Sequence, residues 1–75
     1  MARPRYVVEN SIRAIRFASS EMTQQELADK VGVSRQTINA IEGGKYSPSL
    51  EVAFEIARAF NKPLDSVFRS VPVRS

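Results

Sequence analysis

The chain has 75 residues, a net charge of +3, no cysteine and no histidine. Lacking these two residue types, it has no disulfide framework, no thiolate nucleophile and no imidazole for base catalysis or metal ligation. The composition therefore predicts a binding protein without metal or cofactor, not an enzyme, and its small positive charge tilts the expectation towards an anionic partner.

Hydrophobic residues make up 43% and charged residues 25%, which suits a folded chain rather than a disordered one. No apolar run approaches the ~20 residues of a membrane span. The opening MARPRYVVEN lacks the apolar core of a signal peptide. The expectation is a cytoplasmic protein with no membrane partner.

Residues 1–7 carry Arg3, Pro4 and Arg5 without periodicity and read as a basic N-terminal arm. Val8, Ile12 and Ile15 then follow i, i+4, i+7, predicting an amphipathic first helix that ends near Ser19–Ser20. Thr23 opens a second helix, with Glu26 three residues later completing a capping box. Leu27, Ala28 and Val31 form its inward face, and Gly32 follows where a left-handed residue commonly ends a helix.

Ser34 caps a third helix that runs to about Glu42 and stops at Gly43–Gly44. After the Lys45–Tyr46–Ser47–Pro48 loop, Ser49 caps a fourth helix whose apolar stripe is Leu50, Ala53, Phe54, Ile56, Ala57 and Phe60. Asn61 tolerates a left-handed cap, and Pro63 suits the first turn of a short fifth helix ending near Phe68. The tail over residues 70–75 contains Pro72 and shows no helical period. The expected fold is thus all-α, with five short helices over residues 8–69 and no strands.

Within that chain one window stands out. A close crossing of two helices needs a small residue at the contact, and Ala28 supplies it. The turn needs a glycine, and Gly32 is there. The second helix of the pair must bury two residues one turn apart, as Ile38 and Ile41 can. Together, in about 20 residues, these spell a helix-turn-helix. Arg35, Gln36, Asn39 and Ala40 fall on the face opposite the isoleucines. Arg and Gln side chains can make paired hydrogen bonds to base edges. Taken singly, the same residues also suit an ordinary solvated surface.

The run MTQQELADKVGVSRQTINAIEGGKYSPSLEVAFEIARAF closely resembles the XRE/Cro-type helix-turn-helix domain of phage-repressor-like regulators. The resemblance spans roughly residues 8–69 and implies a five-helix, lambda-repressor-like DNA-binding domain whose third helix enters the major groove. It implies base contacts from Arg35, Gln36, Thr37, Asn39 and Ala40. Phosphate contacts are implied for Gln24 and Ser34, and for Gly44, Lys45 and Tyr46 along the backbone. It also implies a pairing of Arg16 on the first helix with Glu42. The family commonly carries a glycine near Ser20, where this chain has none, and the SSEMTQ loop is one residue longer than usual.

Residues and resemblance together predict a repressor-type transcriptional regulator that binds a specific site on double-stranded DNA. It is expected to act as a homodimer on a palindromic operator, without a small-molecule ligand, because about 62 residues of helical core leave no room for a sensor domain. Phe17, Val52, Val71 and Val73 are the apolar residues left over for a dimer, which points to the edge of the fourth helix and the tail. The alternative is an antitoxin-like protein-interaction module with autoregulatory DNA binding. An RNA binder would need stacking aromatics, and Tyr46 is the only one near the proposed surface. A membrane-surface peptide would need its basic residues along one long apolar helix.

Overall fold

A computed structural model describes residues 5–73. The element order is β1 (Tyr6–Asn10), α1 (Ile12–Ala18), α2 (Gln24–Val31), α3 (Arg35–Glu42), α4 (Leu50–Ala59), α5 (Leu64–Val67) and β2 (Phe68–Pro72). The five expected helices are present. The expectation of an all-α chain is corrected, because β1 and β2 pair as a two-stranded antiparallel sheet.

Val8, read as the start of the first helix, lies in β1, and α1 begins at Ile12. Tyr6 and Val7, read as part of the arm, are strand as well, while Arg3 and Pro4 lie outside the described residues. The tail is not irregular either, since Ser70, Val71 and Pro72 belong to β2. Tyr, Val and Val are good strand formers, but a strand needs a partner, and this one comes from 60 or so positions along the chain. Val7 pairs with Val71 and Glu9 with Arg69. No local period announces such a pairing.

The helices pack on one core. Ile12, Leu27, Ile38, Ile41, Ile56 and Val67 are almost wholly withdrawn from solvent. On α4 the buried stripe is narrower than expected: Ala53, Ile56, Ala57 and Phe60 point inward, whereas Leu50 and Phe54 are exposed. Val31 on α2 is only half-buried.

Side-chain caps set the helix starts. Thr23 Oγ1 accepts from the Glu26 amide at 3.0 Å, and Glu26 Oε1 accepts from the Thr23 amide at 2.8 Å. Ser34 and Ser49 accept from the Thr37 and Val52 amides. Pro63 stands just before α5 as its N-cap, one position earlier than the first turn. Asn61 takes the left-handed conformation, at φ 56°. In the longer α1–α2 loop, Ser20 and Glu21 do so in succession, at φ 59° and 55°. That backbone region favours glycine, so each of the two side chains is strained there.

Candidate nucleic-acid interface

The centre of the site is the pair α2 and α3. Gly32, at φ +85°, closes α2, and the Ala28 carbonyl accepts from both the Gly32 and Val33 amides. Two residues later Ser34 starts α3, so the second helix must leave the first at a steep angle. Ala28 is fully buried at the crossing, and Ile38 and Ile41 anchor α3 from below at 0% and 2% exposure. Burying two isoleucines orients the rest of α3 outward.

Arg35, Gln36 and Asn39 are exposed on α3, while Thr37 and Ala40 are half-buried. The Thr37 and Ser34 hydroxyls lie 2.9 Å apart, so both belong to the cap of α3. Gln24, in the first turn of α2, donates from Nε2 to Asn39 Oδ1 at 3.3 Å. One hydrogen bond thus ties the start of α2 to the middle of α3. Arg35 and Gln36 make no side-chain hydrogen bond or ion pair among the described residues.

Beyond α3 the backbone turns tightly. At Gly43 a Cβ would stand 3.3 Å from the Asn39 carbonyl oxygen, a tight contact. Gly44 adopts φ +76°. The Gly44 amide donates to the Ile41 carbonyl at 3.0 Å and the Lys45 amide to the Ala40 carbonyl at 2.9 Å. Both loop amides are therefore engaged within the helix end, and what Lys45 presents outward is its ammonium group. Tyr46 is exposed beside it.

The far end of α3 is clamped by an ion pair. Arg16 Nε and Nη2 donate to the two Glu42 carboxylate oxygens at 3.0 and 2.9 Å, with side chains only 9% and 11% exposed. The same guanidinium donates from Nη1 to the Met22 carbonyl at 2.7 Å, holding the strained loop. Sequence reasoning missed Asn10. Its side-chain amide donates to the Ile41 carbonyl at 3.0 Å, and its oxygen accepts from the Ile12 amide at 3.1 Å. It joins β1 to both α1 and the end of α3, and an asparagine just before a helix was the only local hint. Arg13 and Arg69 were missed too. They flank an open groove of about 690 Å³ beside Asn39 and Gly43.

The start of α2 suits an anion. The capping box leaves the first-turn amides of α2, at Gln24 and Gln25, with no helical partner. Glu26 itself has its pKa lowered, first by the Thr23 backbone amide and then by the Thr23 hydroxyl, with Lys30 adding a smaller effect.

A helix-turn-helix family model matches residues 12–67, which hold α1 through α5. This chain belongs to the XRE-type helix-turn-helix family. An uncharacterised HTH-type transcriptional regulator of Methanocaldococcus jannaschii is 49% identical over 61 residues, covering 81% of this chain and 91% of the relative. A second such regulator, from Archaeoglobus fulgidus, is 53% identical over 51 residues, or 68% of this chain and 72% of the relative. Among solved structures, a candidate DNA-binding protein from Bacteroides fragilis superposes with a TM-score of 0.73 at 25% identity, over 84% of this chain and all of that one. The transcriptional regulator VanUg shares the fold, with a TM-score of 0.74 over 97% of this chain and 96% of its own. Both strands lie outside the matched residues, at the two ends of the helical unit.

Proposed function

We propose that this protein is a transcriptional regulator that reads a specific double-stranded DNA site through α3, as a homodimer on a palindromic operator. The observation that carries this is the outward face of α3. Arg35 and Gln36 stand exposed at the start of a helix whose other face is locked by Ile38 and Ile41. A rigid helix with free Arg and Gln near its N-terminus matches what the major groove demands, since Arg can grip guanine O6 and N7 and Gln adenine N6 and N7. Asn39 and Ala40 lie further along, the latter as a methyl for a thymine methyl, and Thr37 contributes through the cap.

Phosphate contacts fall on either side of this helix. Gln24 and the free amides of α2 serve one strand, and the side chains of Lys45 and Tyr46 the other, carried there by the turn at Gly44, with Lys45 supplying the charge. Ser34, at the start of α3, stands where a phosphate would approach. A single short helix reads few base pairs, so two copies on half-sites about one helical turn apart, ~34 Å, supply the affinity.

The test is selection of bound duplexes from a random library at fixed salt. A palindromic sequence with half-sites one turn apart should emerge. Recovery of sequences no different from the input would reject specific recognition.

A further inference from the structure

Two hydrogen bonds at opposite ends of the ribbon define which way each residue of β1 faces. The Val73 amide donates to the Arg5 carbonyl and the Ser11 amide to the Val67 carbonyl, both at 2.9 Å. These lie in the same register as the Val7–Val71 and Glu9–Arg69 pairs. In an antiparallel ladder, backbone groups alternate sides along the strand. Odd-numbered residues of β1 therefore bond β2, and the amides and carbonyls of Tyr6 and Val8 point away from it. Among the described residues neither Tyr6 nor Val8 bonds any other backbone segment on that side.

The two edges of the ribbon are not equivalent. On β2 the outward positions are Phe68, Ser70 and Pro72. Pro72 has no amide, so that edge is blunted in the manner of protected edge strands. The β1 edge carries no proline, and its residues are about half exposed: Tyr6 57%, Val7 44% and Val8 53%, with Val8 bordering the loop from Gly44 to Pro48. An isolated two-stranded ribbon is marginal in water and gains from additional strands.

The charges on β1 select an occupant for that edge. If a second β1 runs antiparallel about a two-fold axis at Val7, Tyr6 meets the second copy's Val8 and Val8 its Tyr6. Those are the residues with outward backbone groups, so each pair exchanges two hydrogen bonds. Val7 then faces Val7, and Arg5 faces Glu9. Shifting the register by two in either direction sets Arg5 or Glu9 against Val7 instead. Only the central register pairs the apolar residues with each other and the charges with their opposites.

We propose that β1 is a dimer seam, where a second copy of this chain adds its own β1 to form a four-stranded sheet with Arg5 of each copy opposite Glu9 of the other. This rests on the homodimer named above and supplies its interface. It replaces the edge of α4 as the candidate: Val52 is half-buried against the core, and Val71 is taken up within the ribbon. A two-fold axis on the strand also makes the contact self-complementary, as a closed dimer requires.

The test is sedimentation of the full chain, with circular dichroism as a check on folding and an isolated half-site duplex as a separate readout. R5E sets glutamate against glutamate, and E9R sets arginine against arginine while also losing the Glu9–Arg69 pair at 3.6 Å within its own ribbon. Each alone should therefore self-associate on the order of tenfold or more weakly, and R5E isolates the seam. An equimolar mixture restores both opposite-charge pairs and should recover the dimer. Val8→Pro removes the outward amide alone and should also yield monomer, whereas Ser70→Pro, on the β2 edge, should leave the dimer intact.

A wild-type chain that stays monomeric at micromolar concentration would overturn the proposal. So would single variants that still dimerise, a mixture that fails to recover, or Ser70→Pro acting like Val8→Pro. Half-site binding separates this from the functional reading. Monomeric variants that keep it leave DNA recognition standing, and a wild type without it loses DNA recognition whatever its oligomeric state.

Discussion

Arg16 and Glu42 form a two-point ion pair, at 3.0 and 2.9 Å, between α1 and the last residue of α3. The pair is nearly closed to solvent, and Arg16 also holds the Met22 carbonyl. It therefore couples the loop before α2 to the end of α3, so the orientation of the exposed face depends on it.

Removing one partner of a buried pair strands the other. Glu42→Ala should destabilise the fold by about 3 kcal/mol, a large part of the stability of a domain this size. Replacing both, with Arg16→Met and Glu42→Leu, should restore much of the loss, because no charge is left uncompensated. Urea midpoints of the three variants decide this. A double variant no better than Glu42→Ala would mean the pair itself, not the orphaned charge, sets the cost.

Arg35 is exposed at the start of α3 and unpaired among the described residues. Arg35→Ala should cost ~1–3 kcal/mol on the preferred site and flatten the preference at one base pair. Binding curves on a panel of single-substitution duplexes show this. An equal loss on every sequence would make Arg35 a phosphate contact.

Lys45 should act differently. Its amide is already held by the Ala40 carbonyl, so only the side chain is available to a phosphate. Lys45→Ala should weaken specific and non-specific binding alike and reduce the salt slope by about one. A slope identical to the wild type's would place Lys45 off the DNA.

The capping box of α2 predicts a pH dependence. The Thr23 amide and hydroxyl hold the folded Glu26 carboxyl below its usual pKa. A group with a depressed folded pKa contributes stability above its unfolded pKa and loses it as pH falls through the folded value. The advantage of wild type over Glu26→Gln should therefore be largest near neutral pH and shrink in the acid range. Urea midpoints across that range measure it, and a constant gap would dissociate the effect from the carboxylate charge.

How much of this was legible in the chain depends on the distance over which each feature is decided. Thr23 with Glu26, Ser34, Ser49 and Gly32 act within three or four residues, so the helix starts and the tight turn follow from their order alone. The spacing of Ile38 and Ile41 likewise determines which side of α3 is buried, and hence that Arg35, Gln36 and Asn39 face out. What only the tertiary structure decided are contacts between distant residues. Val8 fits a helical stripe with Ile12 and Ile15 equally well, and becomes a strand because Ser70 lies opposite it. Phe54 fits the stripe of α4, yet it stays 46% exposed. Asn10 bonds the end of α3 from β1, and Arg13 and Arg69 line a groove beside it, all from elements that carry no local sign of it. Periodicity reports one element's own buried face, whereas strand pairing and side-chain bridges depend on which second element arrives, and the fold alone makes that choice.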